Sequence, residues 1–302
     1  MNKKVAAVIV TYNRLALLKE CVQALETQER LPDAIIVINN GSTDGTDQWL
    51  DSQKNILAFH QENSGGAGGF HRGMREAYDL GFDWIWVMDD DGYPHAEALQ
   101  KLLELPVTGP CILNSLVLSK DDSSKLAFSL KYNDRHVNSA QELMGVPVIN
   151  GDINPFNGTL IAREIFTQIG FPKKEMFIWG DETEFCTRVA KNGFPLITVT
   201  SSIFYHPKAK EETDKDWKFD VIWRKYYGMR NQSLILKNTK NSFYKLYYTK
   251  YMAYEFLNIL KYQKSLKLTK FLVASEAYMD AILNDFSKRP ANIKAISRLG
   301  KK

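Results

Sequence analysis

Apolar and polar positions come in repeating blocks along the first ninety residues. Lys4 to Thr11 is a β-branched run that reads as a fully buried strand. After Tyr12-Asn13-Arg14, the residues Leu15, Leu17, Leu18, Cys21, Val22 and Leu25 recur at helical spacing. Ala34 to Ile38 is a second buried strand; it ends in the polar loop Asn39 to Thr46, whose Ser, Thr and Asp residues suit the cap of a helix through Trp49 and Leu50. Ile56 to Phe59 is a third strand, and Asn63-Ser64-Gly65-Gly66-Ala67-Gly68-Gly69-Phe70 opens the next helix. Trp84-Ile85-Trp86-Val87-Met88 is apolar at every position, as expected of a strand covered on both faces. Right-handed crossovers then bring loops 11–14, 39–46, 63–70 and 89–94 to one edge of a mostly parallel sheet, so the pattern predicts an α/β fold.

The repeat loosens beyond residue 94. A helix over Ala96–Leu105 and a strand over Cys111–Leu118 are expected, then a polar stretch and a surface hairpin or loop around His136 that carries no chemistry. An asparagine-glycine turn at Asn157-Gly158 leads into an apolar strand and a helix start at Arg163-Glu164. Asp181 and Glu182 open a helix with Phe185 and Val189 on its apolar face. Pro195 to Thr200 is a strand, Trp217 to Leu236 a helix, and Phe243–Leu260 and Leu266–Phe286 are helical, aromatic and basic.

Composition changes this picture in two ways. With 302 residues, 44% of them hydrophobic and 12% aromatic, the chain buries a sizeable core. The net charge of +4 hides a split: from Asn238 onward 13 Lys and Arg face four acids, a charge of +9, which leaves −5 for the first 237 residues. The basic tail reads as a membrane-surface segment, a solvated face or an oligomer contact. Nucleic acid is not expected, because no recognised binding motif accompanies the charge. No run approaches the ~18 apolar residues of a membrane span, and Met1-Asn2-Lys3-Lys4 leads into a strand without a cleavage site. The expectation is a cytoplasmic protein, with the cytoplasmic face of the membrane as a site of peripheral contact. Cys21, Cys111 and Cys186 follow no metal or redox spacing and read as buried free thiols.

The candidate chemistry sits at strand ends. Asp89-Asp90-Asp91 cannot stay unpaired in a core, so the three acids emerge into a cleft where open α/β sheets bind ligands. Along an extended chain Asp89 and Asp91 point one way and Asp90 the other, so the first and third can share one ion. Hard oxygen ligands suit Mg²⁺ or Mn²⁺. The same acids also suit a solvated turn that caps the next helix. The glycine cluster either lets a backbone approach an anionic ligand or makes a tight strand-to-helix turn. Asp181 is explained by a helix N-terminus, and also by a general base beside the desolvating rings of Phe177 and Trp179. His206 is either a structural histidine or a metal ligand.

Three segments in order, Val8-Ile9-Val10-Thr11-Tyr12-Asn13-Arg14, Asn40-Gly41-Ser42-Thr43-Asp44-Gly45-Thr46 and the aspartate triplet, resemble the signature segments of family 2 glycosyltransferases of the GT-A fold. Asn63 to Phe70 and Met88 to Gly92 are most similar to galactofuranosyltransferases and related rhamnosyltransferases of bacterial polysaccharide synthesis. The resemblance covers residues 4–235. It implies a Rossmann-like GT-A domain over 1–215, followed by a helical, basic region over 216–302. It further implies inverting, metal-dependent transfer from a nucleotide-diphosphate sugar to a glycan or polyprenyl-linked glycan. UDP-galactofuranose is the leading donor and dTDP-rhamnose the alternative. By the same resemblance Asp89, Asp91 and His206 hold Mg²⁺ or Mn²⁺, and Asp181 is the base. Thr11, Asn13, Arg14, Asn39, Asp44, Gly65, Gly66 and Asp90 surround the donor; Trp179, Glu182, Glu184, Asn157, Tyr227 and Arg230 face the acceptor. Relatives often carry Asp where this chain has Asn39, and Asn both donates and accepts, which leaves base preference open.

Two other classes fit part of the pattern. A nucleotidyltransferase wants a basic phosphate-gripping loop near the N-terminus, where only Arg14 stands. A non-catalytic glycan-binding subunit of an assembly complex would not need Asp89, Asp91, Asp181 and His206 together.

Overall fold

The computed structural model describes residues 3–208, 217–218, 221–238 and 243–299. The chain forms two compact units, Met1–Pro172 with Arg188–Ala209, and Lys173–Thr187 with Lys210–Lys302. The boundary drawn at 215/216 from sequence lies outside the described residues. The segment Lys173–Thr187, which carries Asp181, belongs with the second unit.

The first unit begins with the expected alternation of four strands and three helices: β1 (Val5–Thr11), α1 (Leu15–Glu26), β2 (Ala34–Asn39), α2 (Thr46–Asp51), β3 (Ile56–His60), α3 (Gly65–Asp79) and β4 (Trp84–Asp89). The strands lie in the order β3-β2-β1-β4, all parallel. Every residue from Val5 to Val10 and from Trp84 to Met88 is buried, which explains why these strands show no polar alternation. α3 lies close on β1 because Gly69 and Gly73, one turn apart, lack side chains: a Cβ would come within 2.4 Å of Val10 and of Val8 respectively. Much of the glycine-rich segment is therefore a packing device.

The second half of the sheet is mixed. After β5 (Tyr93–Pro94) and α4 (Ala98–Glu104) come β6 (Ile112–Ser119), β7 (Lys125–Tyr132), β8 (Arg135–Ser139), β9 (Val148–Asn150), β10 (Asn157–Ala162), α5 (Arg163–Ile169), α6 (Asp181–Lys191) and β11 (Leu196–His206). β10 lies antiparallel between β4 and β6; no crossover helix separates it from β6, and a parallel return needs one. β7 and β8 form the hairpin expected around His136, with Asn133 and Asp134 at positive φ in its turn. β11 runs parallel to β6 and extends past the expected end at Thr200, through a register shift between Val199 and Ile203, to His206. Its polar interruption is satisfied internally: Ser202 Oγ lies 2.8 Å from Ser115 Oγ and donates to the Ala98 carbonyl at 2.9 Å.

The second unit is helical: α7 (Ile222–Asn238), α8 (Tyr244–Tyr262), α9 (Lys267–Leu283) and α10 (Pro290–Leu299), the last not anticipated from the sequence. Its core gathers Phe177, Tyr226, Tyr227, Met229, Tyr248, Met252, Val273 and Ala277. All three cysteines are buried free thiols, as expected.

Candidate active site

β4 ends at Asp89, and the acidic turn that follows is fixed by packing as well as by charge. Gly92 lies against the Phe204 ring, where a Cβ would come within 2.3 Å, and Gly158 meets the same ring, where a Cβ would come within 2.8 Å. Gly158 has φ +69° and forms the irregularity where β10 pairs with β4. The short β5 pairs with β11, Tyr93 opposite Tyr205. This holds the acidic turn beside the end of β11, where His206 stands.

The three carboxylates have different surroundings. Asp90 is buried; it accepts from Thr11 Oγ1 at 2.7 Å and from Arg14 Nη1 at 3.0 Å. The same Arg14 nitrogen reaches Asp91 Oδ2 at 2.9 Å. Asp91 Oδ1 lies 3.1 Å from His206 Nε2, yet this oxygen is buried with no hydrogen-bond partner of good alignment. His206 Nδ1 lies 2.7 Å from the Pro207 carbonyl, which can only accept, so Nδ1 carries the proton and the neutral ring has its lone pair on Nε2. Two electron-rich atoms thus face each other across 3.1 Å, a gap that only a proton or a cation fills favourably.

Electrostatics agree with this arrangement. Burial, then the charges of Asp91 and Asp90, push Asp89 up to about 7. Burial also raises Asp90, against the pull of Arg14 and Thr11. Burial opposes the charged form of Asp91, but His206 and Arg14 outweigh it and hold its pKa below the usual carboxylate range. Burial likewise opposes the imidazolium of His206, and Asp91 outweighs it, raising that pKa. Among the described residues no three His, Cys, Asp or Glu side chains form a group able to hold a metal ion unaided. The structure joins Asp91 to His206; Asp89, crowded by like charge, does not complete a three-ligand set. Such a pair suits an ion that takes its other ligands from phosphate and water.

The residues expected around the donor divide into open and committed groups. Asn13, at φ +54°, accepts from Thr43 N at 2.7 Å. Asp44 accepts from Leu15 N at 3.0 Å and from Thr46 Oγ1 at 2.5 Å, so its two oxygens serve the starts of α1 and α2. Asn39 is buried, with Nδ2 on His60 Nδ1 at 3.0 Å and Oδ1 accepting from Ser42 N at 3.0 Å. All three side chains shape the loops; Asn39 is spent within the fold at both ends, whereas Asn13 and Asp44 stay exposed. Gly65 N donates to Asn63 Oδ1 at 2.9 Å, whereas a Cβ at Gly66 would meet nothing within 4 Å. Sequence reasoning missed Asn40, which donates to the Gly65 carbonyl at 2.9 Å and accepts from Ser64 N at 3.1 Å. A polar residue directly after a buried strand was the available signal. Also missed were Asn114 and Thr159, cross-strand neighbours on β6 and β10. Asn114 Oδ1, Thr159 Oγ1 and Asn157 Oδ1 are buried without hydrogen-bond partners.

The residues assigned to the acceptor lie in the second unit, apart from Asn157. Phe177, Trp179 and Gly180 have φ +66°, +64° and +90°, so the backbone before α6 turns sharply to place Asp181 at the helix start. Asn231 Nδ2 holds that turn by reaching the carbonyls of Met176 at 2.9 Å, Ile178 at 3.1 Å and Trp179 at 2.9 Å. Arg230 Nη2 reaches the Glu175 and Met176 carbonyls at 3.1 and 3.2 Å, and its guanidinium stacks over Tyr227 at 4.9 Å. Arg230 and Tyr227 are both 0% exposed, and burial pushes the Tyr227 hydroxyl up to about 12. They hold the turn from within the core, which corrects their assignment as acceptor contacts. Glu184 is buried and paired with Lys173 at 3.3 Å. Trp179 is 38% exposed and Glu182 half-buried, so both remain accessible.

A parallel βα sheet whose strand-end loops gather on an acidic turn and an imidazole defines a GT-A glycosyltransferase. Residues 6–170 match the family Glycosyl transferase family 2, and the chain belongs to that family. The match ends before Asp181 and His206. Among relatives, galactofuranosyltransferase GlfT1 of Mycobacterium tuberculosis is 34% identical over 223 residues, 70% of this chain and 73% of its own length. The dTDP-rhamnosyl transferase RfbF of Shigella flexneri is 26% identical over 252 residues, 78% of this chain and 81% of its own. The structure of mannosyltransferase PcManGT from Pyrobaculum calidifontis, in complex with GDP-Man and Mn²⁺, has a TM-score of 0.54 at 15% identity, over 100% of this chain and 86% of that one. It shares the fold.

Proposed function

We propose that the protein is an inverting, metal-dependent glycosyltransferase. In this reading it moves galactofuranose from UDP-galactofuranose onto a hydroxyl of a glycan or polyprenyl-linked glycan, at the cytoplasmic face of a membrane during cell-surface polysaccharide synthesis. The metal dependence is supported by one observation, the 3.1 Å approach of Asp91 Oδ1 and His206 Nε2, a pair that a cation can bridge in place of the proton. Those two atoms fit Mg²⁺ or Mn²⁺ that takes its remaining ligands from phosphate and water. A bound ion there would neutralise charge growing on the departing diphosphate. The donor is supported by GlfT1, whose name gives that sugar and whose sequence is 34% identical.

The chain's own residues supply the rest. Arg14, held by Asp90 and Asp91 but half-exposed, keeps N–H donors for phosphate oxygen. Asp181 takes the proton of the acceptor hydroxyl as its oxygen bonds to the anomeric carbon. The bond to the diphosphate breaks on the opposite face, so one displacement inverts the centre. The exposed Trp179 ring offers a face for sugar.

Calorimetric titration with UDP, dTDP, UDP-galactofuranose and dTDP-rhamnose, first with Mn²⁺ and then with EDTA, tests this. Metal-dependent UDP binding and turnover of UDP-galactofuranose are expected. Preference for dTDP-rhamnose, which the match to RfbF favours, would replace the donor and keep the chemistry. No nucleotide binding with any metal would overturn the mechanism.

A further inference from the structure

α8 and α9 are joined by a short turn and pack together through Phe256 on Phe271 at 4.7 Å and Tyr248 on Tyr278 at 5.8 Å. Their inner faces are buried, as helices in a bundle require. Their outer faces are apolar too. On α8 and the residue before it, Phe243, Leu246, Tyr247, Tyr254, Leu257 and Leu260 are exposed; on α9, Leu268, Phe271, Leu272, Met279, Ile282 and Leu283 are. These positions recur at three- and four-residue steps, so each helix carries an apolar stripe turned away from the core. Phe243, Leu257, Leu268 and Leu283 are each more than 60% exposed, at 68%, 63%, 65% and 69%, which is costly for a surface that meets only water. Phe271 is exposed and also touches Phe256 of α8, so the α9 stripe reaches the seam between the two helices.

The charged residues on this surface have one sign. Between Phe243 and Leu283 the exposed charged side chains are Lys245, Lys250, Lys261, Lys264 and Lys267. The acids of the same stretch, Glu255, Glu276 and Asp280, are withdrawn from it: Glu255 and Glu276 are half-buried, and Asp280 is buried and accepts from Tyr226 at 2.5 Å. None of the five lysines pairs with a carboxylate among the described residues. Lys250 instead lies over the Tyr247 ring at 5.9 Å. Lys245 faces α7 instead, where with Ser233 and Lys237 it lines a cavity of about 190 Å³. No helix among the described residues is long and apolar enough to cross a membrane.

We infer that the outer face of the α8–α9 hairpin docks in the plane of an anionic lipid bilayer. Its leucines and aromatic rings enter the acyl boundary while Lys250, Lys261, Lys264 and Lys267 meet lipid phosphates. Charge decides between this occupant and a second copy of the chain. A two-fold self-contact would bring lysine surfaces together with no exposed acid to answer them, whereas an anionic headgroup layer answers every one. This deepens the proposed transfer to a polyprenyl-linked acceptor by assigning the surface that brings the enzyme to its lipid.

The test is sedimentation of the full chain with vesicles of phosphatidylcholine alone or mixed with phosphatidylglycerol, at low and high salt. Binding to the anionic vesicles only, weakened by salt, is expected. Each Lys→Gln change on this face should reduce partition about fivefold. The pair Leu257→Asp and Leu268→Asp should abolish binding while leaving UDP binding and the circular dichroism unchanged. Failure of the wild type to bind, or equal binding by these variants, overturns the proposal. So does concentration-dependent self-association that the aspartate pair abolishes. Transfer to a water-soluble acceptor, measured in parallel, reports on the glycosyltransferase reading alone, so the two can fail separately.

Discussion

Asp89–Asp91 and Asp181–Glu184 are both clusters of acids, yet they are held by opposite means. The first stands at the end of an apolar strand, where burial and then neighbouring like charges raise Asp89 to about 7. The second stands behind a backbone turn with three residues at positive φ, and Asn231 and Arg230 fix that turn through main-chain carbonyls. One motif concentrates negative charge, which the proposed cation would relieve; the other spends conformational strain to place one carboxylate. Residues of the first act by charge, and those around the second act by shape. Substitutions should therefore sort into two kinds, those that lose metal and donor and those that lose only transfer.

The largest effect should come from Asp181→Asn. We expect transfer to fall by about 10²–10⁴-fold with UDP affinity unchanged, read by coupled turnover assays and calorimetry. Full activity in this variant would end its assignment as base. Next in size, His206→Ala and Asp91→Asn should each lower transfer by about 10²–10³-fold and remove the effect of Mn²⁺ on UDP binding, a loss that Asp181→Asn must not show. Asn231→Ala sharpens the contrast from the side of shape. It strands three carbonyls, should cost about 1–3 kcal/mol in thermal unfolding, and should reduce turnover without changing Mn²⁺-dependent UDP binding. The smallest effect concerns pH. Asp89 has a folded pKa above its unfolded value near 4, so between about pH 4 and 7 the folded state binds more protons, and stability falls as pH rises through that window. Mn²⁺ takes over the role of the proton, so melting curves should show it stabilising the protein more at pH 8 than at pH 6.

Much of the first motif was legible in sequence because buried parallel strands leave unbroken apolar runs, and acids directly after such a run have nowhere to go but the sheet edge. The position of His206 was not. Thr200-Ser201-Ser202 looks like the end of a strand, but Ser202 is buried on Ser115 and the Ala98 carbonyl, and β11 continues to the imidazole. The same blindness touched Tyr227, Arg230 and Asn39. A polar side chain whose partners are backbone carbonyls or another buried side chain reads, along the chain, like one that awaits a ligand. Asp44 differs: a helix-capping role was expected of its loop, the carboxylate fulfils it at two helices, and the side chain stays exposed. The antiparallel entry of β10 was likewise invisible, because periodicity says that a strand is buried but not which way it runs.

The Phe204 ring lies against both Gly92 and Gly158, two residues before His206 on the same strand. The gauge between the imidazole and the Asp91 carboxylate is thus set by the width of an apolar ring and by the absence of two methyl groups. For the ion proposed there, selection by radius would be a matter of carpentry, and altering that ring would retune it without touching Asp91 or His206.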